Sequence, residues 1–259
     1  MSDFIIYFNE NLAAAKAPLW EQMIYQVVHL FQEAERRIRS PEGQARYGNL
    51  DGWWRKPGRV AGVNGVKVPE ETAISEALIE QMEQVKQDFM LNSTGSPSGI
   101  GDIDSLEFHT EVPRRQKVGI GKKAKPTDFR FYRSGIAGFD LRIEAKVLVK
   151  DPEIDNSYLS SRGIGRFSDS KEPYTDELVG GMIAYTVSED RGAWLEKIAN
   201  KIPTSNSAIR TFRHAVKSSS EPTLFSLVPF KFPKRPQQSE VLVFHVVLEF
   251  DCLPTVRGL

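Results

Sequence analysis

The chain has 259 residues, the length of one large domain or two small ones, which is enough to bury a sizeable core. Its 34 Lys and Arg residues balance 34 Asp and Glu residues, so the net charge does not indicate nucleic-acid binding, although a local patch still could. The single cysteine, Cys252, excludes an internal disulfide framework and a cysteine-based zinc site. With no signal-peptide pattern and no apolar run near the roughly 18 residues of a membrane span, we expect a cytoplasmic protein.

An N-terminal helical extension is predicted for residues 1–68. Within residues 10–39 apolar residues recur at the spacing of one helical face, which predicts a helix there: Leu19, Met23, Val27 (or Val28) and Phe31. Pro18 suits the first turn of that helix. An irregular connection is predicted for residues 41–69. Its aromatic residues Tyr47, Trp53 and Trp54 are interleaved with Arg and Lys, and they suit either a nucleic-acid clasp or an interface with a partner subunit.

A second helix is predicted from Pro69 to Leu91. Glu70 and Glu71 favour the positive N-terminal end of that helix. Its buried stripe is predicted to consist of Ile74, Leu78, Met82 and Val85.

Strands are predicted next at residues 106–112, 128–132 and 141–149, separated by turn-rich loops. Helix is predicted again for residues 174–201, with Leu178, Met182 and Tyr185 on one face. A second helical segment is predicted around residues 194–198. The last segments, "IRTFRHAV", "FSLVPF" and "EVLVFHVVLEF", are typical of strands. The order of elements predicts an α/β domain over residues 69–259.

The strand at 141–149 places a carboxylate and an ammonium together. Glu144 and Lys146 are two residues apart, so both side chains lie on one face of the strand. Asp128 lies at the start of the preceding strand. If the two strands pair in antiparallel fashion, Asp128 approaches Glu144 at one end of the pair.

Paired carboxylate oxygens are ligands that suit Mg²⁺, and Mn²⁺ could substitute for it. A cation held there would acidify water and neutralise a phosphate oxygen, while Lys146 stabilises developing charge. The residues therefore predict a site for phosphodiester hydrolysis. A solvated surface pair is the alternative for a Glu-x-Lys on a strand.

Pro126-Thr127-Asp128 followed by Glu144-Ala145-Lys146 resembles the motif of the PD-(D/E)xK nuclease superfamily, which includes restriction enzymes and phage-defence nucleases. The extra Thr127 between Pro and Asp departs from the pattern. The resemblance implies a restriction-endonuclease-like core, a central mixed sheet flanked by helices. It also implies that Asp128 and Glu144 hold the metal and that Lys146 orients and activates the attacking water.

The first helix of that family often supplies another acidic residue to the metal. The start of the helix here, "PEETAIS", makes Glu71 the best candidate for this ligand, with Glu70 and Glu76 behind it. Helix-dipole stabilisation or capping alone would explain Glu71 equally well.

The segment "YLSSRGIGRFSDSKEPYTDELVGGMIAY" is similar to the region after the motif strand in prokaryotic defence-associated members. The whole resemblance spans roughly residues 69–250. It implies a DNA endonuclease that is the effector of an anti-phage defence system, with an ATPase or sensor protein as partner and a homo-oligomer as a further expectation. A non-catalytic nucleic-acid-binding or assembly subunit of a defence complex is the alternative.

Basic residues near the motif are candidates for contacting the nucleic-acid backbone. On the loop before Asp128 these are Lys122, Lys123 and Lys125, with Arg114, Arg115, Arg130 and Arg133 close by, and downstream they are Arg162 and Arg166. A solvated loop and ordinary surface arginines are the alternatives. Tyr174 and Tyr185 are interpreted as packing residues on a helix, and His245 as a core or sheet-face histidine.

Overall fold

A mixed sheet flanked by helices forms the centre of the protein. The computed structural model describes residues 3–11, 16–48, 50, 53, 59–60, 67–91, 103–113, 126–133, 139–169, 174–175, 177–187, 190–215, 222–230 and 239–250. Within these residues a seven-stranded sheet has the order β3-β4-β5-β6-β9-β8-β7. Its strands are β3 (Leu106–Pro113), β4 (Pro126–Arg133), β5 (Asp140–Leu148), β6 (Val179–Thr186), β7 (Arg210–His214), β8 (Thr223–Pro229) and β9 (Glu240–Glu249).

The centre of the sheet is parallel and its flanks are antiparallel. Strand β6 pairs in parallel with β5 on one side and with β9 on the other. Strands β3, β4 and β5 pair in antiparallel fashion, as do β7, β8 and β9. A separate antiparallel ribbon joins β1 (Arg59–Val60) to β2 (Lys67–Val68). The expectation of an α/β fold with a central mixed sheet is confirmed.

The helices are α1 (Asp3–Asn11), α2 (Ala17–Arg39), α3 (Pro41–Tyr47), α4 (Glu71–Leu91) and α5 (Arg191–Ser205). A π-helical turn covers Ile154–Tyr158 and a 3-10 turn covers Ile164–Phe167. Among the described residues, no helix combines the length and the apolar character needed to cross a membrane.

Side chains alternate across the sheet, so its two faces carry different layers. On one face Phe31 of α2 packs edge-on against Phe129 at 5.0 Å between ring centroids, and Ser75 of α4 hydrogen-bonds the Tyr185 hydroxyl at 2.9 Å. On the other face Tyr158 contacts His245, and Phe167 lies against Gly180. The sheet is therefore covered on both sides.

Helices from the first 68 residues belong to the same hydrophobic core as the sheet. Phe4 of α1 packs edge-on against Phe225 of β8, with ring centroids 5.5 Å apart. The Tyr7 hydroxyl donates to the carbonyl of Leu178 at 2.8 Å, which ties α1 to the start of β6.

Two glycines of β6 leave room for aromatic rings to pack directly against the strand. A Cβ at Gly180 would collide with the ring of Phe167, and one at Gly181 would lie 2.6 Å from the ring of Phe244. The rings of Phe167 and Phe244 therefore rest directly on the backbone of the central strand.

Several sequence-based expectations for the helices are confirmed. Helix α2 has Pro18 in its first turn, and the stripe Ile74, Leu78, Met82 and Val85 of α4 is buried. Leu19 was wrongly placed on the buried face of α2: it is 44% exposed, and Trp20 is buried instead. The irregular connection predicted after residue 40 also contains helix α3. Ser40 caps the N-terminus of this helix, because its side chain accepts a hydrogen bond from the backbone N–H of Gly43.

The helix predicted over residues 174–201 is wrong in its first half, where strand β6 runs from Val179 to Thr186. All eight residues of β6 are buried, since both faces of a parallel strand are covered, and such a run has no period that separates strand from helix. The second half is helix, as predicted, and the three C-terminal strands are confirmed.

The stacked rings of Tyr47 and Trp53 lie inside this chain. Both residues are 2% exposed, and their ring centroids are 5.4 Å apart. The Tyr47 hydroxyl donates to Glu80 at 2.8 Å and accepts from Gln81 at 2.6 Å. Both rings are therefore buried within the chain itself, and Trp54 lies outside the described residues.

Candidate active site

The β4–β5 hairpin brings the motif residues together, as the sequence predicts. The backbone pairing of the two strands ends at Phe129 and Ile143, so Asp128 and Glu144 occupy the next cross-strand position. There the Asp128 carboxylate replaces a backbone partner: its Oδ2 accepts a hydrogen bond from the backbone N–H of Ala145 at 2.6 Å. This bond holds Asp128 beside the strand that carries Glu144 and Lys146.

The ammonium of Lys146 lies at the centre of the cluster. Its Nζ donates to Oε1 of Glu144 at 2.7 Å and to Oε1 of Glu71 at 3.3 Å, and it lies 4.0 Å from Oδ2 of Asp128. It also donates to the backbone carbonyl of Ala145 at 2.5 Å. The Lys146 side chain is 12% exposed, so these contacts form largely away from water.

Helix α4 supplies Glu71, as the sequence suggested. Glu71 is the first residue of that helix, and its side chain, 35% exposed, reaches the Lys146 ammonium. The two other acidic residues considered at this position, Glu70 and Glu76, are exposed. The structure thus brings together Asp128, Glu144, Lys146 and Glu71.

The crowding of carboxylates shifts the proton affinities in the cluster. Burial and then the neighbouring charge of Glu144 raise the pKa of Asp128 to about 8. Burial likewise raises the pKa of Glu144, against the opposing effect of Lys146. Burial alone would lower the pKa of Lys146, but the surrounding carboxylates outweigh it and raise that pKa, so the lysine is charged at neutral pH.

The donor chemistry of the site fits a hard divalent cation. Oε2 of Glu144 is buried and has no partner that meets hydrogen-bond geometry among the described residues, although the Tyr174 hydroxyl is near enough to that carboxylate to lower its pKa. Among those residues no group of three or more Asp, Glu, His or Cys side chains is arranged to hold a metal ion. Mg²⁺ is usually bound through one or two carboxylates together with water, so Asp128 and Glu144 are a sufficient donor pair.

Tyr174 lies next to the site. From the sequence it was interpreted only as a packing residue on a helix. It lies outside any helix, it is 6% exposed, and its hydroxyl donates to the Arg162 carbonyl at 3.0 Å. Burial and then the charge of Glu144 raise the pKa of Tyr174 well above its usual value, because an ionised tyrosine would be repelled by that carboxylate. It is 30 residues from Glu144 along the chain, and nothing in the local sequence pattern indicates the contact.

The arginines predicted to bind nucleic acid have different environments. Arg162 is exposed. Arg166 is 7% exposed, and its guanidinium lies over the Tyr174 ring, 5.0 Å from the ring centroid. Arg130 pairs with both carboxylate oxygens of Asp140 at 2.9 Å. The loop candidates Lys122, Lys123, Lys125, Arg114 and Arg115 lie outside the described residues.

His245 is a core histidine, as predicted. It is 2% exposed, and burial lowers its pKa to about 3, so the ring is neutral. Tyr185, interpreted as a helical packing residue, does pack in the core but lies on strand β6.

Comparisons with protein-family models, with curated proteins and with solved structures found no match to this chain. The resemblance to the PD-(D/E)xK nucleases therefore rests on the motif residues alone.

Proposed function

We propose that the protein is a Mg²⁺-dependent nuclease of the PD-(D/E)xK type that hydrolyses phosphodiester bonds in DNA. The convergence of Asp128, Glu144 and Lys146 on the β4–β5 hairpin is the observation that carries the proposal. Buried carboxylates with raised pKa values, next to a charged lysine, are typical of functional sites.

Asp128 and Glu144 are the residues that would hold the cation, with Glu71 in support. When bound, Mg²⁺ supplies positive charge that neutralises phosphate oxygens and acidifies water. The raised pKa of Lys146 keeps it protonated, so it acts as a hydrogen-bond donor and a positive charge. In hydrolysis the water oxygen bonds to phosphorus while the bond from phosphorus to the leaving sugar oxygen breaks. Lys146 orients that water and stabilises the negative charge that develops on the phosphate.

The substrate and the biological setting follow from the family resemblance. DNA is the proposed substrate, and the role is that of an effector in a prokaryotic anti-phage defence system, with an ATPase or sensor partner and a possible second copy of the chain. Of the four described candidate arginines, Arg130, Arg133, Arg162 and Arg166, only Arg162 is exposed, which makes it the best one for contacting backbone phosphates. Arg166 is committed to packing on Tyr174.

Incubation of the purified protein with supercoiled plasmid and Mg²⁺ or Mn²⁺ tests the proposal. We expect nicking or linearisation that EDTA abolishes and that Lys146→Ala lowers by at least about 100-fold. Lys150→Ala is the matched control, since Lys150 is exposed just beyond the same strand. Cleavage that persists in Lys146→Ala would refute the assignment of the site.

A non-catalytic nucleic-acid-binding or assembly subunit is the second candidate. It is favoured by the contacts of Lys146, whose ammonium already pairs with Glu144 and Glu71 without a cation. Calorimetric titration with Mg²⁺ or Mn²⁺ separates the two functions. The nuclease requires a bound cation that Asp128→Ala removes, and the binding subunit requires none, so a wild-type protein that binds no cation excludes the nuclease.

A further inference from the structure

An open cavity lined by arginines lies between the C-terminal end of α2 and the N-terminal end of α5. Its volume is about 480 Å³. Its described lining residues are Gln32, Glu35, Arg36, Arg39, Ser40 and Arg191. None of them belongs to the cluster around Lys146.

Carboxylates hold the arginines of this cavity in place. Arg39 Nη1 donates to Oε2 of Glu249 at 2.8 Å, and Arg191 Nη2 donates to Oε2 of Glu35 at 2.7 Å. Arg36 pairs with both carboxylate oxygens of Glu33 at 2.6 and 2.8 Å. Much of the side-chain entropy of these arginines is therefore lost on folding, so a ligand binds guanidinium groups that are already oriented.

The arginines are more accessible to a ligand than the carboxylate below them. The side chain of Glu35 is 2% exposed, whereas the side chains of Arg39 and Arg191 are each 30% exposed and that of Arg36 is 70% exposed. Nε of Arg191 is buried and has no hydrogen-bond partner among the described residues. An anion entering the cavity would therefore meet guanidinium donors first, and a guanidinium can bind a phosphate through two parallel hydrogen bonds.

The cavity and the candidate active site lie toward the same end of the central strands of the sheet. Lys146 is in register with Ala184 of β6, which is in register with Val247 of β9, two residues before Glu249. Two strand spacings and two residues separate the backbones of Lys146 and Glu249 by roughly 12 Å.

We propose that this cavity is a binding site for a phosphate group. Two sources would supply the same chemistry: a backbone phosphate of the DNA that the proposed nuclease cuts, or a small phosphorylated ligand. The first source rests on the proposed function and the second does not.

The test uses two probes: inorganic pyrophosphate, followed by calorimetry, and a duplex DNA oligonucleotide in EDTA, followed by fluorescence anisotropy. The variants are Arg36→Gln and Arg39→Gln. Both should fold, because Arg36 is mostly exposed and Glu35 keeps Arg191 when Arg39 is replaced. Arg46→Gln, at another arginine in an exposed ion pair, is the matched control. Melting temperatures confirm folding.

We expect wild-type protein to bind at least one probe and each cavity variant to weaken that binding roughly tenfold, as for the loss of one charge-assisted hydrogen bond. Weaker pyrophosphate binding identifies a site for a free phosphorylated ligand, and an effect on the oligonucleotide alone identifies a site for backbone phosphate. Lys146→Ala should leave pyrophosphate binding unchanged, which separates this site from the proposed catalytic one. Wild-type protein that binds neither probe, or cavity variants that bind both probes as tightly as Arg46→Gln, would overturn the proposal.

Discussion

Polar residues on one face of the sheet form two clusters with opposite properties. Glu144, Met182 and His245 lie in register across β5, β6 and β9. At one end of this row His245 is fully satisfied: its Nδ1 bonds the Tyr158 hydroxyl at 2.9 Å and its Nε2 bonds Ser226 Oγ at 2.8 Å. At the other end Glu144 keeps a buried oxygen without a partner among the described residues and lies among other carboxylates.

This difference in hydrogen bonding and charge distinguishes a network that stabilises the fold from a cluster that is a candidate for catalysis. The His245 network is neutral, and every ring nitrogen has a partner, so it stabilises the packing of β8, β9 and the π-helical turn. The cluster at Asp128, Glu144 and Lys146 has crowded charges, which cost stability and are retained where a cation or a substrate compensates them. Substitutions at the two clusters should therefore change stability in opposite directions.

The largest expected effect is at the neutral network. His245→Ala removes a buried ring and leaves the hydroxyls of Tyr158 and Ser226 without their partner, so the free energy of unfolding should fall by about 3 to 4 kcal/mol. Urea unfolding followed by circular dichroism measures it. His109→Ala, at an exposed histidine, should change that free energy by less than about 0.5 kcal/mol. Equal losses for both variants would contradict the assignment of His245 to a stabilising network.

A smaller effect of opposite sign is expected at Asp128. Its pKa is about 8 in the folded protein and lower in the unfolded chain, so its contribution to stability is greatest below the unfolded pKa and is lost as the pH rises toward 8. Asp128→Asn removes the charge but keeps an oxygen that can accept the Ala145 N–H. We expect it to raise the free energy of unfolding by about 2 kcal/mol at pH 8, and by less near pH 5.

Urea unfolding of both proteins between pH 5 and 8 gives this difference. Glu144 and Glu35 also have raised pKa values and contribute the same sign, so only the difference between wild type and Asp128→Asn isolates Asp128. Asp151→Asn, at an exposed ion pair with Lys197, is the control and should leave the pH dependence unchanged. A variant that is less stable than wild type at pH 8 would show that Asp128 has no electrostatic cost.

Cation binding should depend on pH for the same reason. A carboxylate must lose its proton to bind a metal, so Mg²⁺ affinity should rise about tenfold per pH unit up to the Asp128 pKa of about 8, which is about 1.4 kcal/mol per unit. Calorimetry in buffers of different ionisation enthalpy counts the protons released. Affinity that is constant between pH 6 and 8 would exclude Asp128 as a ligand.

The smallest effect is expected at Tyr174. Tyr174→Phe removes the hydroxyl that donates to the Arg162 carbonyl but keeps the ring under Arg166, so stability should fall by about 1 kcal/mol or less. The matched variant in the neutral network is Tyr158→Phe, which leaves a buried ring nitrogen without a partner and should cost more. Thermal unfolding of the pair compares them, and a larger loss for Tyr174→Phe would reverse the roles assigned to the two tyrosines.

The hairpin could be predicted from sequence because its signals are local. Glu144 and Lys146 share a face by the two-residue period of a strand, and Asp128 begins the neighbouring strand. Glu71 was proposed from the resemblance of "PEETAIS" to the start of the family's first helix, and it is the first residue of α4. The hairpin residues needed only spacing along a strand and between adjacent strands, whereas Glu71 also needed the family resemblance.

Tyr174 and strand β6 were missed because their positions depend on long-range packing. The fully buried residues of β6 have no periodic pattern, so Leu178, Met182 and Tyr185 matched a helical face by coincidence. Tyr174 lies near Glu144 because the 3-10 turn that precedes it packs on the sheet. The arginine cavity likewise joins residues of α2 and α5 that are more than 150 positions apart.

The packing beside the candidate active site depends on the absence of a side chain at Gly180. The Phe167 ring rests on the Gly180 backbone, and the same turn holds Tyr174 through a backbone hydrogen bond from its N–H to the Arg166 carbonyl at 3.2 Å. One added methyl group at position 180 would lift the turn and draw the Tyr174 hydroxyl away from Glu144. An apolar change on the central strand would thus displace a residue beside the candidate active site.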